Sequence, residues 1–189
     1  MILAKQFLSS LPMKSSHIDK HLSEMAMYYS SPIGMEHYRL LTALSMMNRN
    51  SIILDIGTYK GASALALSTN PTNKVISYNI VNQLDVDFSD IPNIEFKIKD
   101  IYTEPKELIL SSNFILYDIA PHNGKDEYQF YQFVKNLGYT GTIIFDDIHL
   151  NGGMKEFWTK VDSNKSDFTS VGHGSGTGLV FFGGEIIIQ

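Results

Sequence analysis

The sequence contains no cysteine. Disulfides, thiolate metal sites and thiol nucleophiles are therefore excluded, as suits a reducing, cytoplasmic setting. There is no block of Lys or Arg, and the formal net charge is −5. Phosphate backbones need a basic footprint, so nucleic acid is not expected as a partner. No apolar run is long enough to cross a bilayer, and no membrane association is expected. Lys5 and Gln6 interrupt the mildly hydrophobic opening MILAKQFLSSLPMKSS, which reads as a helical extension packed on the rest of the chain. Two phosphate-binding signatures are missing as well. The dinucleotide pattern G-x-G-x-x-G fails because Tyr59 follows Thr58 where the second glycine belongs, and no G-K-[ST] completes a P-loop. Repeats and low-complexity tracts are also absent.

What is present is a chain of 189 residues, 43% hydrophobic and 19% charged, which suits one globular domain with a sizeable core. Residues 1–50 read as helical: in GMEHYRLLTALSMM, Tyr38, Leu41 and Leu44 or Ser45 recur at a helix-face spacing. From residue 51 the period changes. SIILDIG, NKVISYNI, NIEFKIKD, NFILYDIA and GTIIFDD are short apolar runs with strand character, while GASALALS, EYQFYQFVKNLG and residues 153–162 have helical composition. Two further extended runs, DFTSVGH and GLVFFGG, close the chain. Strands alternating with helices predict an α/β fold of the Rossmann-like kind, a mostly parallel sheet with helices on both faces. The last two runs have only a short glycine-rich link, which forbids a helical crossover and makes that pair antiparallel, near one edge.

Ligands of such sheets bind beyond the carboxyl ends of the strands. The polar residues there are Asp55 and Gly57, Asn79, Asp100, Asp118, and Asp146 with Asp147. In LDIGTYKGASALAL, Gly57 and Gly61 let the backbone turn sharply and approach a ligand, and the following helix N-terminus favours polar or anionic groups. The segment is an ordinary tight turn or one that receives a nucleoside without a pyrophosphate.

ILDIGTYKGASALALS resembles the first motif of class I S-adenosylmethionine-dependent methyltransferases. It is most similar to the branch of catechol, caffeoyl-CoA and macrocin-type sugar O-methyltransferases, and SPIGMEHYRLLTAL resembles the helix leading into that motif. The resemblance runs from about residue 31 to the end of the chain and implies a seven-stranded sheet. It implies that Gly57, Thr58 and Ser63 lie along the methionine part of the cofactor, with Asp55 supporting the turn. Asn79 stands where an acidic residue normally grips both ribose hydroxyls; a carboxamide offers one donor and one acceptor instead. Asp100 matches the residue that meets the adenine amino group, and it equally suits the N-cap of a helix in IYTEPKEL.

Asp118, Asp146 and Asp147 end runs expected to be neighbours. Three carboxylates in one pocket are poorly stable unless something positive joins them. Oxygen-only ligands suit a hard cation, Mg²⁺ first, with Mn²⁺ or Ca²⁺ as alternatives. The bland reading is that Asp146 and Asp147 cap the helix near Met154 and face water. The macrocin-type enzymes share the spacing, here 28 positions from Asp118 to Asp146, and the catechol branch has Asp-Asn in place of the pair. The catechol branch also takes its lysine base from the position held here by Pro121.

For a base the candidates are His122, His149 and Asp118 itself, with His173 in the loop GHGSGTG. That loop is either a substrate-contacting segment or a simple hairpin link around His173 and Ser175. Met25, Met27, Tyr28 and Tyr29 form either an acceptor lid or helix packing. Residues 1–50 are expected to help form the cofactor and acceptor site, and to offer a surface for a homodimer. The expected activity is metal-dependent O-methylation of a small-molecule or glycan acceptor, a sugar hydroxyl or other vicinal diol. The alternatives are a catechol-type O-methyltransferase, a non-catalytic binding domain on the same fold, and a nicotinamide-dependent oxidoreductase, which the missing second glycine disfavours.

Overall fold

The computed structural model describes residues 2–3, 21, 24–29, 35–172, 174–183 and 187–188. Helix α1 (Ala26–Tyr29) and helix α2 (Met35–Met47) precede the sheet. Then follow β2 (Ile52–Ile56), α3 (Ala62–Leu67), β3 (Lys74–Asn79), β4 (Ile94–Ile98), a 3₁₀ turn (Ile101–Thr103) and α4 (Lys106–Ser111). The second half comprises β5 (Phe114–Tyr117), α5 (Lys125–Leu137), β6 (Thr142–Asp146), α6 (Gly152–Lys160), β7 (Asn164–Asp167) and β8 (Thr177–Phe181). Two dipeptides, β1 (Ile2–Leu3) and β9 (Ile187–Ile188), pair in parallel as a separate ribbon.

The seven strands are ordered β4-β3-β2-β5-β6-β8-β7. All neighbours are parallel except β8, which runs antiparallel to both β6 and β7. The antiparallel strand is therefore inserted one place in from the edge, as the short glycine-rich link requires. Helix faces explain the layering. Leu40, Leu41 and Leu44 of α2 join Leu65 and Leu67 of α3 on one side of the sheet. Phe130, Tyr131 and Val134 of α5 join Met154 and Phe157 of α6 on the other. Buried on both faces, β2, β5 and β6 carry continuous apolar runs rather than alternating ones.

Two expectations need correction. The last extended run but one is displaced: β7 is Asn164–Asp167, not DFTSVGH. Asp167 accepts from the backbone and hydroxyl of Thr169, and the Val171 amide bonds back to Phe168, so the chain turns where a strand was expected. The first residues are not all helical either, since Ile2 and Leu3 pair with Ile187 and Ile188; apolar β-branched neighbours at the far end of the chain provide the partner that periodicity cannot show. Residues 4–20 lie outside the described residues.

The chain order reverses at β2, which has β3 on one side and β5 on the other. Such a reversal opens a crevice beyond the carboxyl ends of those strands.

Candidate active site

Asp55 anchors the turn after β2. Its carboxylate is fully buried, and Oδ2 accepts from Thr58 (2.9 Å), Ser63 (3.1 Å) and Ser77 (2.6 Å). Burial raises its pKa, and the three hydroxyls and the nearby His37 oppose that rise. Thr58 and Ser63, both expected along the cofactor, thus spend their hydroxyls inward on Asp55. The amides of Gly57 and Thr58 bond to the Tyr78 carbonyl, which ties the turn to β3. Tyr59 adopts φ 44°, the left-handed conformation that a glycine would take. It keeps that backbone shape with an aromatic ring that is 50% exposed. Gly61 sits at φ 95° just before α3, and a Cβ there would meet the ring of Phe88 at 2.7 Å.

A cleft of about 610 Å³ opens at the switch point. Gly57, Tyr59, Asn79, Asp100, Asp118 and His122 are among the residues that line it. Asp55, Thr58, Gly61 and Ser63 lie behind this wall, and Asp146, Asp147 and His149 are also absent from the lining. The Asn79 carboxamide donates to Gln83 (3.0 Å) and accepts from the Ile80 amide. Asp100 accepts from the Tyr102 amide and caps the 3₁₀ turn, as the capping reading expected, while it also faces the cleft. Ile80 and Val81 are exposed apolar residues on the same wall.

The carboxylates gather at one end. β5 and β6 pair in register through Tyr117 and Phe145, so one step further stand Asp118 and Asp146. Successive strand residues point to opposite faces, and an Asp-Asp pair would ordinarily be split across the sheet. Asp147 avoids this by adopting φ 59°, and both carboxylates act on Asp118. The pair is 7% and 9% exposed, respectively, so it does not face water. Nor does it cap α6, because Asn151 does so by accepting from Met154. Asp118 keeps 33% of its side chain exposed toward the cleft. Loss of hydration by the dense packing around its carboxyl, and then the charges of Asp146 and Asp147, push it well above the usual carboxylate range; His122 opposes them.

His122, itself at φ 52°, places Nε2 3.7 Å from Asp118 and 3.6 Å from Asp147. Left-handed non-glycine residues carry strain that the surroundings must sustain, and here Tyr59, His122 and Asp147 all fall at the strand ends. His149 departs from this group: its Nε2 is engaged with Asp167 at 2.6 Å on an exposed surface. His173 lies outside the described residues. Of the supposed lid, Met25 and Tyr29 are buried in the core, with the Tyr29 hydroxyl donating to Ala62, so those two serve packing.

Two contributors escaped the sequence reading. His37 of α2 lies within 3.6 Å of Asp146. Burial, then the charges of Asp118 and Asp146, raise the pKa of neighbouring Tyr38, which sets its hydroxyl near the same cluster. Their signal was present in the segment EHYRLL, but a helix-face count cannot say that two of its polar positions meet strands a hundred residues away.

Among the described residues, no three metal-ligating side chains stand close enough, as placed, to close a coordination shell. The fit to a cation therefore lies in the donor chemistry: three mutually repelling carboxylates on adjacent strand ends are an oxygen-rich set suited to a hard divalent ion.

No protein-family model matches the chain, and neither does any curated protein. Solved structures do. Cofactor-bound Rv0187 from MTB is 13% identical, with 94% of each chain covered and a TM-score of 0.66. The O-methyltransferase TomG from Streptomyces achromogenes, in complex with SAM and involved in tomaymycin synthesis, is 16% identical over 95% of this chain and 96% of its own, with a TM-score of 0.58. An O-methyltransferase from Bacillus cereus in complex with SAH is 18% identical over 93% and 94%, with a TM-score of 0.59. At these identities the likeness is one of fold: the chain has the Rossmann-like fold of class I methyltransferases.

Proposed function

We propose that the protein transfers a methyl group from S-adenosylmethionine to a hydroxyl of a sugar or other vicinal diol, with a divalent cation at Asp118, Asp146 and Asp147. The observation that carries this reading is the placement of Asp118, with Asp146 and Asp147 close behind it, in the wall of a cleft that begins at the glycine turn of β2. The structural neighbours that hold SAM or SAH support the choice of methyl donor.

The chain's own groups have distinct tasks. Among the residues that line the cleft, Gly57 and Tyr59 would border the methionine part of the cofactor, Asn79 would meet the ribose hydroxyls, and Asp100, with Ile80 and Ile101, would border the adenine. A bound cation supplies a lowered pKa for the acceptor hydroxyl and a grip on its neighbour. His122 is the best placed base: it lines the cleft, and Asp118 and Asp147 flank the positive charge it gains with the proton. Holding acceptor and donor in line accounts for most of the acceleration, since no covalent enzyme intermediate is needed.

The engagement of the Asn79 carboxamide within the protein favours a second reading, a ligand-binding domain without catalysis. Calorimetric titration with S-adenosylmethionine and S-adenosylhomocysteine, with and without Mg²⁺ or Mn²⁺, tests both. Micromolar binding with a metal response that Asp146→Ala abolishes is the expected result. Binding without a metal response removes the cation and leaves His122 as base. Failure to bind either ligand overturns the enzyme reading in favour of the second.

A further inference from the structure

The carboxamide of Asn79 is held at both ends. Its Oδ1 accepts from the Ile80 amide at 3.0 Å. A backbone N–H can only donate, so this bond fixes which end of the carboxamide is the oxygen. The other end, Nδ2, donates to Oε1 of Gln83 at 3.0 Å. The same logic carries on to Gln83. Because its Oε1 accepts from Asn79, its Nε2 remains with two N–H donors. Gln83 is exposed and lines the cleft with Asn79, and among the described residues its Nε2 has no hydrogen-bond partner. The segment that carries Gln83 is seated. The Lys99 amide donates to the Asn79 carbonyl and pins the end of β3 to the end of β4. The Leu84 amide donates to Asn82, and the Leu84 side chain packs on the core. Lys60, in the glycine turn, pairs with Asp85 at 2.5 Å.

We infer that Gln83 is a cofactor-contacting specificity residue, and that the Asn79–Gln83 amide pair does the work of a single acidic side chain: Asn79 Oδ1 accepts from one ribose hydroxyl and Gln83 Nε2 donates to the other. This rests on S-adenosylmethionine as the ligand of the cleft. The chemical need is specific. A carboxylate only accepts, so both hydroxyls can donate to it. Asn79 has given its nitrogen to Gln83 and one lone pair to Ile80. Alone it offers a diol one further lone pair, which serves one hydroxyl. A hydroxyl accepts as well as donates, so a neighbouring N–H serves the second hydroxyl without any charge. Gln83 supplies that N–H. The amides are also linked in series, from Ile80 through Asn79 to Gln83, and bonds in such a chain polarise one another and strengthen the last donor.

The test uses the full chain and calorimetric titration with S-adenosylhomocysteine and its 2′-deoxy and 3′-deoxy analogues. Gln83→Met keeps the length and bulk of the side chain and removes the amide. It is expected to weaken S-adenosylhomocysteine binding by about 3- to 10-fold, the net worth of one hydrogen bond. Wild type should bind each deoxy analogue about 3- to 10-fold more weakly than the parent. In Gln83→Met, at least one analogue should bind as well as the parent, because the hydroxyl it lacks has already lost its partner. A purely structural role for Gln83 would weaken all three ligands alike and leave both hydroxyl losses at their wild-type size. That outcome overturns the inference and leaves the proposed function intact. So does wild-type affinity in Gln83→Met, or a wild type indifferent to both hydroxyls. A wild type that does not bind S-adenosylhomocysteine removes the choice of cofactor and this inference together. Should Gln83→Met not fold, Gln83→Ala serves the same comparison.

Discussion

Gly57 touches the backbone of Asp118. A Cβ at Gly57 would stand 1.6 Å from the Asp118 carbonyl oxygen, and Gly57 itself is at φ 104°. The first turn and the carboxylate end of the site are therefore a single packed unit, and the glycine serves this contact as much as any ligand. Gly57→Ala is expected to cost about 3 kcal/mol or more, from the clash and the backbone strain together. Tyr59→Gly, two residues on, should stay within about 1 kcal/mol of wild type, since relief of strain offsets a more flexible unfolded chain. Urea denaturation of both variants checks the contrast; equal stability of the two would show that the backbone at Asp118 yields easily.

Asp118 should mark the pH dependence of stability. Its folded pKa is raised, by desolvation and then by Asp146 and Asp147. A raised pKa means the folded state holds the proton longer than the unfolded one, so the stabilising contribution is full below the ordinary value of 3.8 and is lost as pH rises through the folded value. Asp118→Asn removes that loss. Its urea midpoint should gain on wild type as pH goes from about 4 to 8, while Asp55, raised in the same direction in both proteins, cancels in the comparison.

Divalent metal should reverse this order. With Mg²⁺ or Mn²⁺ at about a hundred times its dissociation constant, wild type gains about 2.7 kcal/mol at neutral pH. Asp118→Asn should gain far less. Thermal shifts with and without chelator measure both.

Asn79 is a point where affinity can be raised. Asn79→Asp supplies two acceptors and a charge where the carboxamide offers one acceptor and one donor. S-adenosylmethionine should bind severalfold more tightly, on the order of 1 kcal/mol. Titration calorimetry gives the answer directly; weaker binding would mean that the Asn79–Gln83 bond shapes the wall.

The two histidines should separate cleanly. His122→Ala is expected to lower methyl transfer to an accepting diol by about 10² to 10⁴, the range for loss of a general base. His149→Ala breaks only an exposed pair with Asp167 and should leave the rate within about twofold. S-adenosylhomocysteine release measures both.

The sequence by itself determined the strand–helix alternation, because β2, β5 and β6 are buried on both faces and their apolar runs leave no other place for them. It also determined which strand ends carry polar groups, since Asp55, Asn79, Asp100, Asp118 and Asp146 interrupt apolar runs abruptly. The tertiary structure alone decided what each of these groups faces. Asp55 turned inward to three hydroxyls, two of them on residues expected at the ligand. His149 and His122 are equally plausible along the chain, yet a local turn at Asp167 drew one away while a left-handed backbone held the other between two carboxylates. His37 and Ser175 reach Asp146 and Asp147 across more than a hundred and nearly thirty residues respectively. Periodicity records which face of an element is apolar; contacts between polar groups on separate elements depend on sheet order and loop path, and those exist only once the chain has packed.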